Sequence, residues 1–205
     1  MHNTERAAIA DSVYAAIFTG LITVGAYITF PLPFSPVPIV LQNFFVLLAG
    51  LLLPLRWSLA AVALYLGLGA VGLPVFSAAR GGLAHFAGPT GGYLVGFLPA
   101  VMVCGLIGSN ARRAAEDASP AAGSIVRDAA AAVAATLVIY AVGTPWLASV
   151  AGLDASGALA GGVLPFLPGD AIKIVAAVGV ARATRPLITS YRSGRTPASP
   201  DDTAQ

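Results

Sequence analysis

Apolar and polar positions divide the chain into six hydrophobic stretches separated by polar or Pro/Gly-rich breaks, at about 12 to 30, 38 to 53, 57 to 72, 91 to 109, 128 to 151 and 163 to 182. Several are shorter than the roughly 20 residues a helix needs to cross a bilayer. The second and third, parted only by Pro54-Leu-Arg-Trp57, also fit one long buried hairpin. Each stretch is nonetheless apolar enough to predict a helix in lipid.

Composition supports lipid as the solvent. Of 205 residues, 57% are hydrophobic and only 10% charged, against roughly 25% charged in a soluble domain. The mean hydropathy is +0.83. So little polar surface does not cover a water-soluble globule of this length. Glu5 and Asp11 precede or open the first stretch where a removable leader would be basic, so that stretch is expected to be a retained span. Cys104 is the single cysteine and forms no internal disulfide.

Charge then gives a direction. With both termini in the cytoplasm, nine of the eleven basic residues fall on the inner side: Arg6, Arg56, Arg112, Arg113, Arg127, Arg182, Arg185, Arg192 and Arg195. The other two are Lys173, inside the last stretch, and Arg80, in the long third loop. That asymmetry is the positive-inside pattern. The expectation is an all-α integral membrane protein of six transmembrane helices with cytoplasmic termini. Residues 1–185 would form one domain, and 186–205, rich in Ser, Thr, Pro and charge, a disordered tail.

Lys173 is also the only lysine in the chain, and it lies three residues after Asp170 in Pro165-Phe-Leu-Pro-Gly-Asp-Ala-Ile-Lys173. Residues i and i+3 share a helix face. Each charge costs about 2.5 to 3.5 kcal/mol at a span centre on insertion scales, so an idle pair would be an expensive way to pack helices. The pair is the first candidate for a ligand site; the alternative is an ion pair that only fixes the last helix.

The third loop, from Gly72 to Tyr93, is long, apolar and glycine-rich, and is expected to fold back as a lid capping an outward-facing pocket. Within it, Gly88-Pro-Thr-Gly-Gly-Tyr93 runs into the fourth stretch, where free helix N–H groups suit an anionic or carbonyl-bearing ligand. Thr90, Gly91 and Tyr93 are candidates on that account, although Thr90 also suits a plain N-cap. Arg80 fits either a ligand carboxylate or lipid headgroups. Gln42 and Asn43 are polar amides that face a pocket or bond a neighbouring helix, and Gln42 is taken as a candidate. On the first stretch Ala8, Ser12, Ala16 and Gly20 make a small-residue stripe that admits another helix closely, inside the bundle or in a partner.

Other chemistries lack their residues. Gly67-Leu-Gly-Ala-Val-Gly72 matches a dinucleotide pattern but ends an apolar stretch with no strand before it. No Walker A, His-Glu-x-x-His or Gly-x-Ser-x-Gly sequence occurs, and two histidines with one cysteine do not make a convincing metal centre. No cofactor and no enzyme activity are expected. An intramembrane enzyme using Asp170, Lys173 and His85 for proton transfer is the alternative from another class.

Four motifs together, Pro36-Val-Pro-Ile-Val-Leu-Gln42, Gly72-Leu-Pro-Val-Phe76, Gly88-Pro-Thr-Gly-Gly-Tyr-Leu-Val-Gly-Phe97 and Phe166-Leu-Pro-Gly-Asp-Ala-Ile-Lys173, resemble the signatures of the BioY family. These are the biotin-binding substrate-specificity (S) components of energy-coupling factor (ECF) transporters. The resemblance implies a high-affinity biotin-capture subunit in a prokaryotic plasma membrane, with Asp170 and Lys173 binding biotin. It implies too that a membrane-embedded coupling subunit and two ATPase subunits energise uptake, the coupling subunit meeting the first-stretch stripe. A relative that carries biotin without that module is the nearer rival.

Overall fold

The computed structural model describes residues 2–117 and 123–193. Its first helix, α1, runs from His2 to Tyr27. An antiparallel hairpin follows, β1 at Thr29–Leu32 and β2 at Ser35–Val40, in register Thr29↔Val40, Phe30↔Ile39 and Leu32↔Ser35. The chain is therefore mostly helical rather than all-α. Phe30, Leu32, Ser35 and Val37 each precede a proline. The proline ring clashes with a helical conformation at the residue before it, which pushes all four into extended backbone. The run that separates the first two apolar stretches thus becomes a small sheet instead of an open loop.

Two shorter apolar helices come next, α2 at Gln42–Leu52 and α3 at Leu55–Ala70. Leu53 is extended, as a residue before proline should be, and Pro54 sits at the start of α3. That proline settles where the second and third stretches part. α2 packs against α1 and α3 and also against the three long helices α4 (Gly91–Asp117), α5 (Gly123–Ala151) and α7 (Leu167–Ser193), which makes it the axis of the bundle. Its buried run from Val46 to Leu52 supplies much of the core. The connector expected over 110–124 is shortened from both sides by helix, and 118–122 lie outside the described residues.

Among the described residues, three segments are long and apolar enough to cross a membrane: Ala8–Tyr27, Gly91–Gly108 and Ile125–Ala151. A fourth arises if the bent pair α6 (Ala155–Gly162) and Leu167–Ile188 acts as one, the two halves meeting at 48°. α6 is an element the sequence reading lacked. Asp154 caps it by accepting from the Gly157 N–H at 2.8 Å, and the Ser156 hydroxyl and that N–H hold its carboxyl below the ordinary range. Pro168 then falls in the first turn of α7, where its missing N–H costs nothing.

The far end of α7 corrects an expectation. Helix continues through Pro186 to Ser193, so the first eight residues of the expected disordered tail are helical. Ile188 packs against the core and extends the buried face past the proline. Residues 194–205, the rest of that tail, lie outside the described residues.

The third loop is anchored by an aromatic knot. Phe76 is fully buried, edge-on to Tyr65 at 5.5 Å and to Phe86 at 5.3 Å, and stacked on His85 at 5.0 Å. The Phe76 N–H bonds the Arg80 carbonyl at 2.9 Å and the Gly82 N–H bonds the Gly69 carbonyl at 2.6 Å, closing a tight return. Ala78 and Ala79 at its tip hold φ of 57° and 55°, a left-handed conformation costing roughly 1–2 kcal/mol per residue. The knot carries that strain and holds the loop against α3.

Candidate functional site

Asp170 and Lys173 occupy the first two turns of α7, one helical step of three apart, and their side chains meet at 2.9 Å with only 7% and 11% of their surfaces exposed. Three other elements converge on them. From the end of β2, the Val40 carbonyl accepts from Lys173 Nζ at 2.8 Å. From the first turn of α2, Asn43 accepts from Lys173 Nζ through its Oδ1 at 3.0 Å and donates from its Nδ2 to Asp170 Oδ1 at 2.8 Å. From the middle of α5, the Tyr140 hydroxyl donates to Asp170 Oδ2 at 2.5 Å. A carboxylate and an ammonium are thereby buried with their polar valences met, the condition under which buried charge is tolerated.

These residues line one side of a cavity whose other walls are apolar: Val37, Leu94, Phe97, Ile139 and Phe166. Gln42, Thr90, Tyr93 and His85 complete it. Gln42 donates to the Tyr65 hydroxyl at 2.7 Å, so its amide is fixed within the bundle while it borders the cavity. The Tyr93 hydroxyl bonds the Gly162 carbonyl at 2.9 Å, tying α4 to the end of α6. Thr90 meets His85 Nε2 at 3.3 Å through its side chain instead of capping α4. Burial, and after it the Arg80 guanidinium, holds the His85 imidazole below its ordinary 6.5.

A second cavity adjoins the first and shares Pro38, Ser77, His85 and Thr90 with it. Its walls are the proline hairpin on one side and the third loop on the other, and Arg80 lies here, exposed, rather than beside Asp170. The expected site residues are therefore split. Asp170, Lys173, Thr90, Tyr93 and Gln42 surround the inner cavity, and Arg80 borders the outer one. Gly91 lines neither: it is buried where a Cβ would collide with the Phe86 carbonyl. Gly92, next to it, has Trp146 in that position, and the Trp146 Nε1–H bonds the Gly88 carbonyl at 3.0 Å. The glycine pair of the motif fits the loop to the bundle.

The first-helix stripe turns away from the core. α1 buries Asp11, Ala15, Phe18, Thr19 and Ile22, whereas Ala16 and Gly20 are exposed and Ala8 and Ser12 half-buried; a Cβ on Gly20 would meet nothing within 4 Å. Asn43 and Tyr140, which complete the ion pair, were not among the expected ligand residues. Asn43 stood beside a chosen candidate, while Tyr140 sits in an apolar run with nothing to mark it. No group of three or more metal-ligating side chains occurs among the described residues. A largely apolar slot with one dense polar cluster suits a small, mostly apolar molecule that carries a few hydrogen-bonding groups.

The model of the BioY family matches residues 1–190. Curated relatives include "Biotin transporter BioY" of Rhizobium etli, 40% identical over 174 residues, covering 84% of this chain and 91% of the relative. "Biotin transporter BioY" of Thermotoga maritima is 40% identical over 169 residues, 82% and 92% of the two chains. "Probable biotin transporter BioY" of Pyrococcus horikoshii is 38% identical over 166 residues, 81% and 90%. Among solved structures, the S-component for biotin from an ECF-type ABC transporter superposes with a TM-score of 0.76 at 28% identity, covering 87% of this chain and 92% of that one.

Proposed function

The chain belongs to the BioY family, and on that premise we propose that it is a membrane-embedded subunit that captures biotin for uptake into the cell. It is a transporter component and not an enzyme, as its family and curated relatives are transporters. The observation that carries the reading is the Asp170–Lys173 cluster set in the wall of a largely apolar cavity. Biotin is a fused apolar bicycle with a ureido edge and an acyl tail ending in a carboxylate. The inner cavity offers acceptors and apolar walls to the bicycle, and Arg80, bordering the adjoining cavity, offers a cation to the tail.

We place the six apolar segments across a prokaryotic plasma membrane, with both termini in the cytoplasm and the third loop capping the cavity from outside. The distribution of arginines supports that topology, as does the helix that forms over each expected stretch. Residues 1–185 act as one substrate-binding unit. An ECF module, comprising a coupling subunit in the membrane and two ATPase subunits, energises transport. The exposed Ala16 and Gly20 give α1 a face that a coupling-subunit helix approaches closely. Calorimetric titration of biotin into the detergent-purified chain is expected to saturate near one ligand per chain, and Asp170→Asn to weaken it. Absence of heat with the unaltered chain at any ligand concentration would end the biotin reading. Uptake that persists in cells lacking a coupling subunit would remove the ECF module from it.

A further inference from the structure

The two cavities differ in how they are enclosed. The inner one is walled in part by buried side chains, among them Leu94, Phe97, Ile139 and Asp170. No residue lining the outer one is buried, and its only permanently charged side chain, Arg80, is exposed. The outer cavity is also the larger, about 350 Å³ against about 70 Å³. By itself it reaches the range of a whole small-molecule site, roughly 300–1,000 Å³. It is a wide mouth and not a sleeve around an acyl chain.

Both walls of that mouth are fastened to the bundle. On one side the Ser35 hydroxyl of β2 donates to the Gly161 carbonyl at 2.6 Å, tying the hairpin to α6. On the other, the Tyr27 hydroxyl donates to the Pro74 carbonyl, and the stacking of Phe76 on Tyr65 holds the third loop to α3. Neither wall swings onto a chain passing between them without breaking these contacts. A ligand held by its ring in the inner cavity passes through the neck that both cavities share, at Pro38, Ser77, His85 and Thr90, and ends in the mouth. There its carboxylate faces an exposed guanidinium. A pair of exposed charges contributes little, so exchanging that carboxylate for a neutral amide costs at most about fivefold in affinity. Any chain carried on the amide nitrogen continues into open space.

Resting on the biotin reading above, we infer that the chain also captures amide conjugates of biotin, in which the carboxyl is joined to an amine such as the side chain of lysine. Selection is made in the inner cavity, and the mouth admits what the tail carries. Arg80 favours the free acid without requiring it.

The test titrates three ligands into the full chain in detergent by calorimetry: biotin, biotinamide and ε-N-biotinyl-lysine. Biotinamide changes only the charge, whereas biotinyl-lysine adds length. Both dissociation constants are expected within about tenfold of that for biotin. A loss beyond about tenfold with biotinamide would overturn the inference, because the carboxylate is then a required contact. Biotinamide bound but biotinyl-lysine refused would overturn it too, showing that the mouth is shut behind the tail. Arg80→Gln sharpens the comparison, since the loop return is made by the backbone carbonyl of Arg80 and not by its side chain. This variant is expected to bind biotin less tightly by at most about fivefold and to bring biotin and biotinamide to equal affinity. A loss of biotin affinity beyond about tenfold in Arg80→Gln counts against the inference. Failure of the unaltered chain to bind biotin itself is a different result, which strikes the biotin reading.

Discussion

α7 carries an ion pair toward each end, and the two are built from the same helices to different effect. Near its start, Asp170 and Lys173 reach Asn43 of α2 and Tyr140 of α5. Some fifteen residues on, about 22 Å along the axis, Arg185 meets Asp128 of α5 at 3.1 Å and the Leu51 carbonyl of α2 at 3.3 Å. Both ends fasten α7 to α2 and α5. The first pair borders the inner cavity; neither Asp128 nor Arg185 lines either of the two cavities described. Buried charge alone does not mark a binding site in this chain. What separates the pairs is that the first borders the inner cavity, while Asp128 of the second is wholly enclosed by the bundle.

The comparison can be broken most forcefully at Lys173. Replacing it with Met removes the partner that fixes Asp170 and Asn43, and biotin affinity should fall by about 100-fold or more, read by calorimetry. Arg185→Met at the other end should do the reverse. Thermal stability in detergent drops by about 3 kcal/mol for the charge pair it breaks, while the affinity of the folded fraction stays within about threefold. Equal losses of affinity in the two variants would erase the distinction. Gly91→Ala comes next: the new methyl meets the Phe86 carbonyl, so the third loop must shift, and affinity is expected to fall about tenfold with the off-rate bearing most of it.

The smallest effect concerns His85. Its imidazole titrates below 6.5 in the folded loop because burial, and then Arg80, disfavours the cation. The unfolded chain takes up the proton first as pH falls through about 6.5. Stability of the loop is therefore full above that value and is lost below it until the folded imidazole also protonates. Asp170 and Lys173 line the same inner cavity as His85. Melting curves between pH 7.5 and 5 should show the decline in the unaltered chain and a flatter profile in His85→Gln. Identical profiles would remove His85 from the account.

Legibility in the sequence followed how local each cause was. Lys173 and Asp170 were readable because a lone lysine three residues from an aspartate stands out in an apolar run, and i, i+3 geometry needs no tertiary knowledge. The partners were not: Val40 and Asn43 lie 133 and 130 residues before Lys173, and a backbone carbonyl has no signature in sequence. The Asp128–Arg185 pair was hidden for the same reason, its arginine having been counted only as inner-side charge. The hairpin was missed although its cause is local. Four X-Pro steps in ten residues dictate extended backbone, and the hydropathy pattern masked them. The tail boundary failed because composition after Pro186 reads as disorder, while the buried face of α7 extends to Ile188.

The order of the chain gives the α7 clusters a consequence for how the protein is made. Val40, Asn43, Leu51, Asp128 and Tyr140 all precede α7 in sequence. On the ribosome, the helix bearing Asp170, Lys173 and Arg185 emerges when its acceptors and donors have already been synthesised. In the topology proposed above its charges would be expensive to leave in hydrocarbon, so docking of α7 would both make its insertion tolerable and finish the cavity. Until then Asn43 and Tyr140 stand without their α7 partners, and a chain arrested before Asp170 is the form a membrane quality-control protease should recognise.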